Sequence, residues 1–229
     1  MNFLALETSC EHASVALYLD GEIREHLLDG HANHSEYILS VIRDLLSEAS
    51  VRLPDLDAVA FGSGPGAFTG LRLACGIAQG LALGAGLGIV PVCSLSALAM
   101  QSDGERTFVA TDARMNEVYH CTYQFDGGLA IPLSEPACTS PETLQLPEGP
   151  WFGIGSAFSA HESILLPRFG SRLTGCNAAA VPRASDIARL AAGRVGKGEM
   201  LSAEMAAPLY VRDKVALTTA ERLARGGRS

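Results

Sequence analysis

The chain has 229 residues, of which 48% are hydrophobic, and its formal net charge at pH 7 is −8. This length and apolar content are enough to bury a sizeable core, either in one large domain or in two lobes. The sequence has no run of five or more basic residues, so we expect no autonomous binding to nucleic acid, where Lys and Arg supply most of the non-specific affinity.

The cysteine pattern and the apolar segments predict a reduced, cytoplasmic protein. The six cysteines contain no Cys-x-x-Cys pair, and the first residues lack the charged and apolar regions of a signal peptide. The longest apolar stretch, residues 81–92, is interrupted by glycines and falls short of the roughly 20 residues that span a bilayer. We therefore expect no membrane partner.

The first hundred residues predict alternating strands and helices. Residues 2–6, 13–19 and 22–28 are predicted strands, with Asp20-Gly21 as the turn between the last two. Asn33 and Glu36 resemble a capping box ahead of an amphipathic helix. The apolar stripe of that helix is formed by Tyr37, Ile38, Val41, Ile42, Leu45 and Leu46.

A glycine-rich turn, FGSGPGAFTG at residues 61–70, joins a strand at 58–61 to a small-residue helix at 70–83. Such a turn either presents amide groups to an anion or allows tight packing of strand and helix. It is not a P-loop, because no Lys follows at the required spacing, and Ala67 replaces the last glycine of the dinucleotide fingerprint. A strand at 89–92 and a helix at 94–100 follow.

The second half repeats the opening of the first. Phe3, Ala5 and Glu7 are echoed 105 residues later, and strands are predicted at 107–111, 117–125 and 129–133. The remaining predicted elements are strands at 151–154 and 209–212 and helices at 158–166, 185–192 and 213–225. We therefore predict an α/β fold of two duplicated βββαβα-type lobes, residues 1–102 and 103–229, with the last helix a candidate to pack back on the first lobe.

Four segments together resemble the TsaB (YeaZ) family. They are ALETSCEHASVAL at 5–17, GPGAFTGLRLACGIAQGLA at 64–82, DARMNEVYHCTY at 112–123 and PLYVRDKVA at 208–216. The resemblance extends over most of the chain and implies a shortened relative of the TsaD (Kae1) proteins with the fold of the actin-like ATPase superfamily.

The resemblance also indicates where a nucleotide site would lie. It implies acidic residues after the first strand of each lobe, at Glu7 and Asp112, and a glycine pair near adenosine, at Gly153 and Gly155. Two carboxylates at strand ends could hold Mg²⁺ through water, which would suit an ATP-dependent phosphotransferase. The favoured alternative is that both carboxylates cap turns and the site is vestigial.

The metal site of TsaD relatives does not carry over to this sequence. Their His-x-x-x-His pair follows a Val-Pro strand, and alignment on Val90-Pro91 places Ser94 and Leu98 at the two positions. Leu98 cannot bind a metal, so we expect neither a bound metal nor another cofactor, and a metallopeptidase is disfavoured.

A protein interface is the alternative role for the two helices of the first lobe. The small-residue helix packs either in its own core or against a partner helix. The resemblance implies a surface for self-association or for pairing with TsaD, which is carried over to Ile38, Ile42, Leu46, Leu71, Ala74, Cys75 and Ala78. The implied function is a non-catalytic platform that joins TsaD and, through it, the ATPase TsaE in threonylcarbamoyladenosine modification of tRNA, with tRNA bound only through the complex.

Overall fold

The computed structural model describes residues 1–28 and 34–212. Among these residues the strands and helices form two lobes, each built on one mixed sheet. The predicted helix at 213–225 and the predicted cap residue Asn33 lie outside the described residues.

The first lobe contains a five-stranded sheet in the order β3-β2-β1-β4-β5. Its strands are β1 (Asn2–Glu7), β2 (Ser14–Leu19), β3 (Glu22–Leu27), β4 (Ala58–Gly64) and β5 (Gly88–Cys93). Its helices are α1 (His34–Glu48), α2 (Phe68–Ala85) and α3 (Ser94–Ala99). β1 to β3 form an antiparallel meander, whereas β4 and β5 run parallel to β1, as expected for strands joined through helices.

The sheet of the second lobe repeats this strand order, which confirms the predicted duplication, although among the described residues no helix corresponds to α1. Its strands β6 (Arg106–Asp112), β7 (Val118–Asp126), β8 (Leu129–Pro132), β10 (Trp151–Ile154) and β11 (Leu173–Asn177) lie in the order β11-β10-β6-β7-β8. Read from the other edge, this is the strand order of the first sheet. The short strand β9 (Ala137–Thr139) pairs with β7. The helices after β10 are α4 (Ala157–Ala160) and α5 (Glu162–Phe169).

One helix of the second half packs on the first lobe. α6 (Ala184–Gly196) buries Ile187, Ala188 and Ala191 against apolar side chains of the first sheet. Its first turn is held there as well, because the Ser14 hydroxyl accepts a hydrogen bond from the Ala184 amide and the Glu25 carboxylate accepts one from Ser185 N. A boundary at residue 102 therefore does not separate the packing units, since the chain returns to the first lobe.

α3 lies between the lobes and contributes to a core that both share. Leu95 and Leu98 pack with Val109, Cys121 and Tyr123 of the second sheet. The lobes are thus joined by buried apolar contacts as well as by the chain connection, which limits their independent movement.

Four local predictions differ from the structure. Residues 209–212 form an extended segment rather than a strand, and the helix predicted at 158–166 is divided at His161 into α4 and α5. β9 and β11 were not predicted; both are short, β9 has no large apolar residue and β11 has only Leu173, so neither shows a clear alternation. Their pairing is decided by the neighbouring strands.

α2 is an 18-residue helix with a mean hydropathy of 1.2, so by length and composition alone it could cross a membrane. Its inner side chains pack on the first sheet, and Gln79 on another side hydrogen-bonds to the backbone of residues 203 and 206. These contacts are those of a helix in a globular fold.

Candidate functional site

A cleft lies between the two lobes and contains a cavity of about 310 Å³. The first lobe contributes Ser9 and the glycine turn around Gly66, and the second contributes Asp112, Arg114 and Ser156. The cleft is therefore placed where the duplicated strands β1 and β6 end.

Glu7 ends β1 but does not line this cavity. Its side chain is fully buried, and its carboxylate accepts hydrogen bonds from Ser9 N at 2.6 Å and from the Ser94 hydroxyl at 2.8 Å. Burial raises the pKa of this carboxyl, while the hydrogen bonds from Ser9 and Ser94 oppose the shift. A Cβ atom on Gly62 would overlap the carboxylate, so the glycine at this position is required by close packing.

The two positions that align with the metal ligands of TsaD relatives are internal. Ser94 is fully buried; its hydroxyl donates to Glu7 and accepts a hydrogen bond from the Gly64 amide at 3.2 Å. Leu98 is buried in the core between the lobes. These side chains do not fit a metal ion, and among the described residues no three His, Cys, Asp or Glu side chains are grouped as metal ligands.

Asp112, the counterpart of Glu7 in the second lobe, does line the cavity. Its carboxylate accepts a hydrogen bond from Arg114 N at 2.9 Å and lies 3.3 Å from the Arg114 guanidinium and 3.6 Å from His161 Nε2. Its own amide donates to the Ser156 hydroxyl at 3.0 Å. The duplicated carboxylates therefore have different surroundings, and only Asp112 faces the cleft.

The predicted glycine pair is explained by packing. A Cβ on Gly153 would lie 2.7 Å from the Phe158 ring, and Gly155 has φ +113° with its Cβ position 2.5 Å from the Ala110 carbonyl. The glycine turn is similar: a Cβ on Gly66 or Gly70 would overlap the backbone oxygens of Ser9 or Thr8. The Ala67 amide of this turn donates to Ser9 O at 2.7 Å. The Ala67 amide is therefore already paired within the protein.

The turn between β6 and β7 is unusual, and no sequence pattern indicated it. Arg114, Met115 and Asn116 have φ angles of 59°, 55° and 58°. Three consecutive non-glycine residues in the left-handed region are unfavourable by about 1–2 kcal/mol each. The Arg212 guanidinium contacts this turn, and its sequence signal was only that Arg212 lies in one of the family-like segments.

The side chains predicted to bind a partner mostly point inward. Ile38, Ala74 and Ala78 are completely buried in the first lobe, and Ile42, Leu71 and Cys75 are at most 5% exposed. Leu46 is partly exposed and, with Ile42, lines a groove of about 370 Å³ between α1 and α2. These residues are the inner face of the two helices, so we assign them to the core and locate the available surface on the opposite side.

The outer face of α2 comprises Arg72, Gly76, Gly80 and Leu83, all of them exposed. Cβ atoms added at Gly76 and Gly80 would meet no atom within 4 Å, and the Leu83 side chain is 70% exposed. On α1, Leu39 is likewise exposed and borders the groove. Glycines four residues apart leave a shallow, largely apolar helix surface that another helix can approach closely.

Comparison with known proteins agrees with this architecture. The family model described as "TsaD: tRNA N6-adenosine threonylcarbamoyltransferase" matches residues 29–223. The chain is 36% identical to the tRNA threonylcarbamoyladenosine biosynthesis protein TsaB of Escherichia coli (strain K12), over 94% of this chain and 96% of that protein. It is 34% identical to the TsaB protein of Haemophilus influenzae over 94% of this chain and 95% of that protein.

A solved structure described as YeaZ from Pseudomonas aeruginosa superposes with a TM-score of 0.83 at 38% identity, covering 91% of this chain and 99% of that one. The two-lobed fold and the cleft define a protein of the TsaD/YeaZ type, with the actin-like ATPase fold. Within that class, the chain belongs to the TsaB (YeaZ) family.

The buried carboxyl group predicts a pH dependence of stability. The pKa of Glu7 is raised in the folded state. The contribution of this carboxyl to folding stability is therefore fully present below its unfolded pKa of about 4.3 and is lost as pH rises through its folded pKa. The unfolding free energy of Glu7→Gln relative to that of wild type should therefore increase as pH rises above about 4.3, by at most about 1.4 kcal/mol per pH unit. Urea unfolding at a series of pH values measures it.

Glu105→Gln, which removes an exposed carboxylate, controls for the change in net charge. A difference in unfolding free energy between Glu7→Gln and wild type that stays constant from pH 4.5 to 8 would contradict this assignment.

Proposed function

We propose that the chain is a non-catalytic subunit that pairs with a TsaD-like enzyme, and through it with a TsaE-like ATPase, in threonylcarbamoyladenosine modification of tRNA. The observation that carries this proposal is the buried Glu7–Ser94 hydrogen bond. It supports the proposal because Ser94, which the alignment on Val90-Pro91 puts at a metal-ligand position of TsaD relatives, is used here in an internal hydrogen bond. The membership of the TsaB family supports the pathway, since its relatives are named for that modification.

The location of the pairing surface follows from the exposed side of the two helices. Apolar surface is exposed on the outer face of α2 and at the neighbouring Leu39 of α1. Few side chains protrude there, because Gly76 and Gly80 have none. Partner helices pack closely on such glycine-containing faces because the backbones can approach each other. We propose that a TsaD-like protein covers this surface, that a second copy of the chain covers it when the partner is absent, and that the protein is cytoplasmic.

Substitutions on the two sides of α2 separate binding from folding. Gly80→Arg places a charge on the outer face and should preserve the fold, because the position is open and glycine is a poor helix former. An unpaired guanidinium in a desolvated interface costs about 2–5 kcal/mol, which predicts roughly a 30-fold to several-thousand-fold loss of affinity for the TsaD-like protein. Titration calorimetry and thermal unfolding measure the two effects.

Ala78→Arg is the matched variant on the inner face. It should lower the unfolding free energy by about 3 kcal/mol or more, because Ala78 is completely buried. If Gly80→Arg and Gly76→Arg both fold and bind the TsaD-like protein with wild-type affinity, the pairing surface is elsewhere.

An ATP-dependent phosphotransferase is the alternative function. The observation in its favour is that Asp112 faces the cleft beside Arg114, so one carboxylate remains available to a ligand. Against it, Glu7 is enclosed, and the Ala67 amide of the glycine turn is already hydrogen-bonded to Ser9 O.

Asp112→Ala tests this alternative. We expect tRNA modification by the assembled complex to change less than about tenfold, equivalent to about 1.4 kcal/mol, because Asp112 mainly orders the β6–β7 turn. Initial rates with purified components measure the effect, and Asp126→Ala, at the far end of β7, is the control. A loss beyond about 100-fold with assembly intact would favour the phosphotransferase.

A further inference from the structure

Residues 201–212 form a segment, here called the strap, that is fastened to the first lobe along α2. At its start, Leu201 and Ile89 exchange two backbone hydrogen bonds of 2.8 Å, which adds a bridge to the edge strand β5. Further along, the Gln79 side-chain amide donates to the carbonyls of Ala203 and Ala206. These hydrogen bonds attach the strap to the first lobe.

The end of the strap is held at the cleft. Leu209 N donates to Ser63 O at 2.7 Å, next to the glycine turn, and Arg72 of α2 donates to the Tyr210 hydroxyl at 3.3 Å. Tyr210 also packs its ring on Phe68, with centroids 5.9 Å apart. These contacts fix the position of Arg212, two residues further on.

Arg212 crosses to the second lobe and binds the left-handed turn between β6 and β7. Its Nη2 atom donates to Ala113 O at 2.9 Å and to Arg114 O at 3.3 Å, and it forms an ion pair with the Glu117 carboxylate. The Arg212 side chain is only 15% exposed. One nitrogen of the guanidinium, Nη2, thus contacts two carbonyls and a carboxylate of the same turn, while Nη1 lies 3.6 Å from Met115 Sδ. A lysine side chain is one bond shorter, so its ammonium would not reach the position of Nη2.

A second ion pair spans the cleft in the opposite direction. Arg114, from the turn that Arg212 holds, contacts the Glu11 carboxylate of the first lobe. Both side chains are largely exposed, so this pair is weak by itself, but it depends on the orientation of the turn. The turn is consequently linked to the first lobe twice, through Arg212 and through Arg114.

We propose that Arg212 is an interlobe clamp: it holds the β6–β7 turn in its left-handed conformation and thereby fixes the separation of the lobes at the cleft. Left-handed non-glycine residues persist where surrounding contacts over-determine them, and Arg212 supplies such contacts from the other lobe. Because the strap also contacts Arg72 and Gln79, the clamp connects α2 to the cleft.

Hydrogen exchange of the full-length chain tests the clamp. In Arg212→Gln, amides of residues 113–117 should exchange about tenfold faster than in wild type, whereas those of β1 and β4 should be unchanged. Arg212→Lys should show part of the same increase, because it keeps the charge but its shorter side chain ends before the position of Nη2. Gln79→Ala, which weakens the fastening of the strap, should give a smaller increase at the same amides. Arg43→Gln, at an exposed ion pair on α1, is the control and should change nothing there.

A distance measurement between the lobes completes the test. Spin labels carried by non-natural residues at Arg24 and Ile131, exposed on the outer strands of the two sheets, should give a broader distance distribution in Arg212→Gln than in wild type. Unchanged exchange at 113–117 would overturn the clamp. So would faster exchange throughout both lobes, or faster exchange at the turn with an unchanged distance distribution, since Arg212 would then only support overall or local stability.

Discussion

The buried hydrogen bond between Ser94 and Glu7 is the contact on which the arrangement of the first lobe and the cleft depends. It joins the end of β1 to the first residue of α3, and the same Ser94 hydroxyl accepts a hydrogen bond from the Gly64 amide of the glycine turn. A buried carboxyl group is tolerated only when its oxygens have partners, so these groups must come together as one unit. The Ser94 side chain is therefore part of the internal structure of the first lobe.

The position of α3 then determines how the lobes are joined. Because Ser94 fixes the beginning of this short helix, Leu95 and Leu98 are directed into the core shared with the second sheet. α6 returns to cover the first sheet, with Glu25 and Ser14 binding its first turn. The inward-facing residues of α2 pack in the core, and one side of the helix contacts the strap. Its outer face is the part that stays exposed.

The sequence was sufficient to predict the repeated architecture but not the orientation of the helices. Phe3-x-Ala5-x-Glu7 and its echo at Phe108 correctly indicated two equivalent lobes, because strand alternation is a local property. The sequence left open which face of α2 packs in the core, since the helix is apolar on most sides and periodicity cannot separate core from surface there. The return of α6 and the role of Arg212 depend on contacts between residues about 100 or more apart in sequence, which no local pattern encodes.

The most direct measurement of the central claim is a tRNA threonylcarbamoylation assay with this chain alone, with a TsaD-like enzyme and TsaE-like ATPase alone, and with all three together, each supplied with threonylcarbamoyl-adenylate. We predict product only in the complete mixture, with the rate saturating when this chain is equimolar to the TsaD-like enzyme. Product formed by this chain alone, or an unchanged rate when it is omitted, would contradict its role as a non-catalytic platform.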